Sequence, residues 1–199
     1  MPPNPGLVYG ERSSPRRVVV LQSNSMEPGP PDTTQSTDAG PGFHVRSYRD
    51  SDLNACRRLY VDGLLGGKLA ENDTGLDIAD IDSTYMRKPG NHFWVAQTTG
   101  GEVVGMIGVQ HHDDGVGEIR RLRVCQKQRR RGIGSALVEA ALQFCNEQGY
   151  LKVALDTFVD REPAIKLFDK FNFRHSKTKR VGEKEMLYFY LDLYQGRKK

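Results

Sequence analysis

The stretch Glu118–Leu137, EIRRLRVCQKQRRRGIGSAL, decides the fold of this chain. Its first part, residues 118–125, has the alternation and β-branched content of a strand. From Gly132 to Gln148 the apolar residues recur at helical spacing, and Gly149 follows as a helix-ending glycine. The stretch therefore predicts a strand, an arginine- and glycine-rich turn, and a helix in direct succession.

The turn between this strand and this helix has the composition of an anion-binding site. Backbone N–H groups in the first turn of a helix have no intrahelical partner, and the helix dipole adds partial positive charge there. Gly132 and Gly134 lack the Cβ atoms that would hold a bulky anion away from those amides. Arg129–Arg131 add forked donors suited to phosphate oxygens. The pattern favours phosphate binding, and a solvated basic cluster at a helix N-terminus is the alternative.

The segments on either side predict an α+β fold. Strands are predicted at 43–49, 92–98, 102–110, 118–125, 150–156, 173–178 and 185–193, and helices at 52–62, 76–86, 132–148 and 163–172. One helix alone separates the strands 118–125 and 150–156, so these two should run parallel. The prediction is a mixed, mostly antiparallel sheet with a central parallel βαβ crossover and flanking helices.

Composition divides the chain into three parts. Eight of the ten prolines lie before residue 43, and residues 23–42 have almost no aliphatic side chain. Such a segment cannot bury enough apolar surface to offset its ordering entropy, so residues 1–42 are predicted to be a disordered tail. Residues 43–195 form the predicted domain, and residues 196–199 a basic tail. Met26 suggests the further hypothesis that translation begins there.

Charge, cysteine content and hydropathy exclude several classes of protein. The net charge of +4 suits an anionic ligand but is too small to indicate nucleic acid. Cys56, Cys125 and Cys145 have no metal-site spacing, so neither a metal nor a disulfide is expected. No apolar run approaches the ~20 residues of a membrane span. We therefore expect a cytoplasmic protein that binds no membrane.

Residues 124–137 (VCQKQRRRGIGSAL) resemble the acyl-CoA-binding motif of the GNAT superfamily of N-acetyltransferases, Arg/Gln-x-x-Gly-x-Gly/Ala. The resemblance extends over residues 43–193 and includes the helix and following residues at 164–173. A weaker likeness, to the camello-like branch, rests on residues 118–124 and 155–157. The resemblance implies a GNAT-like fold, acetyl-CoA as the acyl donor and no metal.

The resemblance also implies a donor site. Backbone amides of the turn and first helical turn would hold the CoA pyrophosphate; these residues are Arg129, Arg130, Arg131, Gly132, Ile133, Gly134 and Ser135. Leu122, Arg123 and Val124 would hydrogen-bond the pantetheine arm as an added strand does. One of their N–H groups would polarise the thioester carbonyl.

Glu118 is the candidate general base. The attacking amine must be uncharged, and some members of the family have a glutamate six residues before the position of Val124. On a regular strand this even spacing places both side chains on one face. His111 and His112, in the preceding predicted turn, are alternatives, and so is a Glu118 that only begins the strand at the surface.

The main departure from the family pattern is Phe168, where many members have a tyrosine that protonates the CoA thiolate. Phenylalanine donates no proton, so Tyr188, Tyr190 or water would have to substitute. The first prediction is an N-acetyltransferase that acts on a primary amine by direct attack. A domain that binds acyl-CoA without turnover is the alternative. A nucleic-acid-binding module built on residues 127–131 and 197–199 is a third, disfavoured because no aromatic residues alternate with the basic ones.

The acceptor is left open by the sequence. The segment Leu64–Thr84 is acidic, which favours either attraction of a cationic amine or a solvated helix face; its carboxylates are Glu71, Asp73, Asp77, Asp80 and Asp82. A small amine, an amino-acid derivative, an antibiotic and a protein N-terminus all fit. The resemblance leaves a homodimer through the last strand open.

Overall fold

The computed structural model describes residues 42–64, 73–112 and 115–194. The predicted tails lie outside this part of the chain, apart from Gly42. The described strands are β1 Phe43–Ser47, β2 His92–Thr98, β3 Val103–His112, β4 Val116–Val124, β5 Lys152–Phe158, β6 Arg174–Val181 and β7 Lys184–Asp192. The described α-helices are α1 Leu53–Asp62, α2 Leu76–Ala79, α3 Ile133–Glu147 and α4 Glu162–Lys170.

The strands form one sheet in the order β1-β2-β3-β4-β5-β7-β6. All neighbours are antiparallel except β4 and β5, which are parallel and are joined through α3. The predicted α+β class and the central parallel crossover are therefore confirmed. In the described ranges, no helix is both long and apolar enough to cross a membrane.

Two apolar clusters cover the two faces of the sheet. On one face α3 packs through buried side chains such as Leu137 and Val138. On the other face, the segments around α1 and α2 contribute buried residues such as Cys56 and Tyr85. Glycines in β3 permit this close approach, because a Cβ on Gly105 would come within 3.0 Å of Leu137 and one on Gly108 within 2.6 Å of Tyr85. The two faces of β3 and β4 can therefore be told apart by what packs against them.

The parallel pairing of β4 and β5 is short, and this creates a cleft. It covers Val116–Glu118 against Lys152–Ala154, and the described partners end there. The remainder of β4 keeps β3 as its partner on the other edge. The last part of β4 therefore has an edge that no described strand occupies.

A β-bulge interrupts β4 on the same stretch. Arg120 lies opposite Gly108 and Arg123 opposite Met106, so three steps on β4 correspond to two on β3. Arg121, inside the bulge, has a φ of 59°, in the left-handed region that side chains rarely adopt. The bulge adds one residue and reverses the facing of everything after it.

The predicted helix 76–86 is wrong as a continuous element. It ends at Ala79, and Asp80 adopts φ −142° and ψ 82° before a separate turn at Asp82–Met86. The carboxylate of Asp80 accepts a hydrogen bond of 3.0 Å from the Ser83 N–H. Aspartate side chains compete with helical hydrogen bonding in this way, so the periodic pattern continues past the point where the helix stops.

Other boundaries shift or hold for local reasons. The predicted turn 111–117 is partly strand, because His111 and His112 end β3 and Val116 begins β4. Gly149 and Asn172 follow α3 and α4 with φ of 76° and 62°, which confirms both as left-handed helix ends.

Candidate active site

A cleft of about 330 Å³ opens where β4 and β5 separate. Strands β4 and β5, the start of β7, Leu64 after α1, and α4 contribute its walls. Its polar groups include Glu118, Arg123, Asp156 and Arg161, and Phe168 contributes to the apolar part. This volume suits a small molecule.

Two carboxylates occupy one wall of the cleft. Glu118 is paired with Ala154 across the parallel strands, so Asp156, two positions further along β5, lies on the same face. Arg120 Nη1 is 3.7 Å from Glu118 Oε1, and His112 Nε2 is 3.6 Å from Glu118 Oε2. Burial, together with the negative charge of Glu118, raises the pKa of Asp156. Glu118 and Asp156 therefore lie on the same face of this wall, with Arg120 and His112 next to Glu118.

The expectation that Glu118 and Val124 share a face is wrong. Glu118 is opposite Gln110 and Val124 opposite Gly105, and an odd number of positions separates these partners on β3. The bulge at Arg121 supplies the extra residue that breaks the alternation of two. Glu118 therefore lies on the α1 side of the sheet, and Val124 on the side of α3.

Arg121 is held by two carboxylates. Its guanidinium donates to Asp73 at 2.7 and 2.8 Å and to Asp77 at 2.7 and 2.5 Å. Its side chain is 7% exposed. Burial opposes the charged form of Asp73, but the hydrogen bonds and charge of Arg121 outweigh it and lower the pKa of Asp73 to about 2. These bonds fix the bulge despite its strained backbone.

The acidic segment does not present free carboxylates to a cationic amine. Asp73 and Asp77 are paired with Arg121, and Asp82 lies 2.5 Å from Arg87. Asp80 accepts from a backbone N–H, as described above. Glu71 lies outside the described residues. The described carboxylates thus all have local partners, and Asp73 and Asp77 have a structural role.

Arg123 and Arg161 approach one another at the end of α1. Arg161 Nη2 donates to the Gly63 carbonyl at 2.6 Å, and Arg123 Nη1 donates to the Leu122 carbonyl at 2.9 Å. A Cβ on Gly63 would lie 2.5 Å from both Cδ and Nε of Arg123, so only glycine leaves room for this side chain.

The predicted anion site at the start of α3 has the expected local geometry. Gly132 caps the helix with φ 84°, and the first helical bond runs from the Ala136 N–H to its carbonyl at 3.0 Å. The N–H groups of residues 133–135 precede that bond and have no intrahelical partner. A Cβ on Gly132 would meet nothing within 4 Å in the described structure, whereas one on Gly134 would lie 3.1 Å from Leu167 of α4. Gly132 thus provides the backbone conformation that begins the helix, and Gly134 allows α3 to pack closely against α4.

Basic side chains surround this helix start. Arg129, Arg130 and Arg131 are exposed, and Arg129 Nε donates to the Val124 carbonyl at 3.3 Å. Lys170 Nζ donates to Ser135 Oγ at 3.4 Å. The last residues of β4 and the first turn of α3 are therefore joined in one basic region.

The residues considered for proton donation differ in their surroundings. Phe168 is buried, with its ring centroid 5.7 Å from that of Phe173. Tyr188 lies opposite Asp156 on β7. Burial, followed by the charges of Asp156 and Glu118, raises the pKa of Tyr188, so its phenol keeps its proton at neutral pH. Tyr190 lies two pairs further along β7, opposite Ala154, with Lys152 Nζ 5.2 Å from its ring centroid.

Sequence reasoning gave no site role to Asp156 or to the side chain of Arg123. The sequence contains one indication of a site role for Asp156, namely an aspartate within the otherwise largely apolar strand VALDTF. No sequence pattern indicates a role for the Arg123 side chain, because its surroundings depend on Gly63 and Arg161, which are distant in sequence.

A family model described as the acetyltransferase (GNAT) family matches residues 54–173. The chain belongs to this family. The match runs from α1 past the end of α4 and so contains β4, β5 and the start of α3. The family resemblance inferred from residues 124–137 is thereby confirmed.

Two human relatives match about half of the chain. N-acetylaspartate synthetase from Homo sapiens is 38% identical over 100 residues, 50% of this chain and 33% of that protein. N-acetyltransferase 8 from Homo sapiens is 38% identical over 103 residues, 49% of this chain and 45% of that protein. The matched segment spans less than half the length of either relative.

Solved structures share the fold. A GNAT-family acetyltransferase from Staphylococcus aureus Mu50 superposes with a TM-score of 0.66 at 19% identity, covering 76% of this chain and 99% of that one. An acetyltransferase from Bacillus anthracis str. Ames, solved in complex with acetyl coenzyme A, has a TM-score of 0.52 at 21% identity and covers 56% of this chain and 67% of that one.

Proposed function

We propose that this chain is an acetyl-CoA-dependent N-acetyltransferase that acetylates a primary amine by direct attack on the thioester. The observation that carries the proposal is the cleft between β4 and β5, with an edge of β4 that no described strand occupies and a glycine-capped helix start beside it. Membership of the acetyltransferase family supports the reaction class. The names of the relatives, N-acetylaspartate synthetase and N-acetyltransferase 8, support amine acetylation.

The start of α3 would hold the donor. The N–H groups of residues 133–135 are available for pyrophosphate oxygens, and Gly132 leaves the space beside them open. Arg129, Arg130 and Arg131 would add charge at this end. Leu122, Arg123 and Val124 lie on the edge of β4 that β5 leaves, so their backbone would pair with the pantetheine arm.

Glu118 would act on the acceptor. The amine nitrogen attacks the thioester carbonyl carbon, the N–C bond forms, and the C–S bond breaks as the thiolate leaves. Glu118 takes the proton that the nitrogen loses, directly or through one water. The thiolate is protonated by solvent or by the phenol of Tyr188, because Phe168 has no proton to give.

Phe168 favours one alternative, a domain that binds acyl-CoA without turnover. The ring is buried and packs against Phe173 and Phe189 at centroid distances of 5.7 and 6.5 Å. The family's usual acid is thus replaced by a packing residue.

An acetylation screen tests the proposal. The protein is mixed with acetyl-CoA and a panel of small amines, amino acids, aminoglycoside-type antibiotics and peptides with free N-termini, and both released thiol and acetylated product are measured. We expect product with at least one class at a rate above the acceptor-free control. Acetyl-CoA binding without product from any class would establish the non-catalytic alternative and overturn the proposal.

Glu118→Gln tests the assignment of the base. The amide keeps the shape but takes up no proton, so kcat/KM near neutral pH should fall by about 100-fold. The pH–rate profile should also shift upward, since more of the acceptor must then arrive uncharged. Glu185→Gln, at an exposed position of β7, is the matched control and should leave both unchanged. An unaltered profile in Glu118→Gln would refute the assignment.

A further inference from the structure

Arg123 is a half-buried cation whose Nε is an unsatisfied donor among the described residues. Its Nε is fully buried and has no hydrogen-bond partner among the described residues. Among the described residues, its Nη1 donates only to the neighbouring Leu122 carbonyl. Burial, followed by the positive charges of Arg161 and Arg121, lowers the pKa of Arg123 to about 10, so it is still charged at neutral pH. A buried charge of this kind is costly unless an anion joins it.

Arg161 places a second positive charge near Arg123, and not a negative charge that would neutralise it. It projects from the start of α4 and donates to the Gly63 carbonyl at the end of α1. The adjacent carboxylate of Asp160 is engaged by Lys184 Nζ at 2.9 Å. Among the ion pairs of the described residues, none includes Arg123 or Arg161. The two guanidinium groups therefore form a positive region in the cleft wall.

Arg123 lies on the acceptor side of the sheet. Arg123 is opposite Met106 and Glu118 opposite Gln110, and the even separation of these partners places both side chains on one face. Helix α3, whose first turn would hold the donor phosphates, packs on the other face around Gly105. An anion that meets Arg123 would thus arrive on the acceptor side of the sheet, the side that also holds Glu118.

We infer that the acceptor amine also carries a carboxylate, as a free amino acid does, and that Arg123 and Arg161 bind this carboxylate while Glu118 receives the amine end. The inference rests on the proposed function and names the substrate class of the same site. A guanidinium presents two parallel N–H donors to the two oxygens of a carboxylate, a geometry that a point charge lacks. The cleft, at about 330 Å³, accommodates a molecule of this size.

The test compares each L-amino acid with its own amide in the acetylation assay. The amide keeps the amine and the side chain but removes the negative charge. In the wild-type protein, kcat/KM should be about tenfold to a hundredfold higher for the acid, the range of one charge-assisted hydrogen-bonded contact. The lower amine pKa of an amide favours the opposite preference, so a preference for the acid reports on carboxylate binding.

Arg123→Met should remove this preference. The activity towards the acid should fall about tenfold or more relative to the activity towards the amide, mainly through KM. Arg123→Lys restores the charge without the fork and should recover part of the preference. Arg161→Met is the second variant and should act in the same direction. Arg180→Met, on exposed β6, is the control for a lost positive charge and should behave as wild type.

The outcomes separate this inference from the proposed function. Acetylation that treats acids and amides alike, or an Arg123→Met variant that lowers both equally or weakens acetyl-CoA binding instead, would overturn the carboxylate inference alone. Absence of acetylation with every acceptor would overturn the proposed function. In that case, thermal shift of the wild-type protein with the same acid and amide pairs still decides the inference, because stabilisation by the acids alone supports it and equal response refutes it.

Discussion

Arg121 and Arg123 lie two positions apart on β4 and meet opposite electrostatic surroundings. Arg121 has four hydrogen bonds to the carboxylates of Asp73 and Asp77 and sits over the ring of Tyr60 at 5.0 Å. Arg123 has one hydrogen bond to a neighbouring carbonyl and a buried Nε without a described partner. The same side chain on the same strand is therefore paired with two carboxylates in one place and with no described carboxylate in the other.

This difference indicates a structural role for Arg121 and a ligand-binding role for Arg123. Arg121 occupies a strained left-handed position, and its carboxylate partners hold the bulge that opens β4 towards the cleft. The described contacts of Arg123 do not offset the free-energy cost of burying its charge. This is expected of a group whose charge is neutralised by a bound ligand. Function is thus assigned to the arginine with fewer contacts.

Arg121→Met should have the largest effect on stability. It leaves two largely buried carboxylates without their partner, so the free energy of unfolding should fall by about 3 kcal/mol in urea titrations at neutral pH. Arg123→Met is the matched control, because it also removes one guanidinium from the same strand. Its free energy of unfolding should stay unchanged or rise by up to about 1 kcal/mol. An equal loss of unfolding free energy in the two variants would contradict the different roles assigned to Arg121 and Arg123.

Acidification should selectively weaken the stabilisation that the pairing of Asp73 with Arg121 provides. Because the folded pKa of Asp73 is about 2, below the ~3.9 of an unfolded aspartate, its stabilisation is present above the unfolded value and is lost as pH falls towards 2. In Asp73→Asn the neutral-pH stability should be lower by about 1–2 kcal/mol, and the gap to wild type should close between about pH 5 and pH 2. Asp169→Asn, exposed on α4, serves as the control. A gap that stays constant over this pH range would contradict the assignment.

The sequence was sufficient for the elements that depend on local patterns. The change from strand alternation to helical spacing across residues 118–148 predicted β4, the turn, α3 and the parallel crossover. Asn172 and Gly149 were expected to end helices and do so with positive φ. These features depend on residues within a few positions of one another, which is where period and turn chemistry act.

The features it missed depend on distant residues or on a single inserted one. The bulge at Arg121 changes no composition, yet it reverses which residues share a face with Glu118. The pairing of Arg121 with Asp73 joins residues 48 positions apart, and the Arg161 contact with Gly63 joins residues 98 apart. No local pattern encodes such pairs, so the electrostatics of the cleft followed only from the folded chain.

Calorimetric titration of acetyl-CoA into the wild-type protein and two glycine variants tests the central claim, that the start of α3 beside the cleft holds the donor. Gly132 and Gly149 lie at opposite ends of α3, with φ of 84° and 76°, and a Cβ at either position would meet no described atom within 4 Å. Gly132→Ala and Gly149→Ala should therefore carry a similar backbone strain of about 1–2 kcal/mol. Wild type and Gly149→Ala should bind acetyl-CoA with similar affinity, and Gly132→Ala should bind it at least about tenfold more weakly. Failure of the wild type to bind at millimolar acetyl-CoA, or equal weakening by the two variants, would contradict the claim.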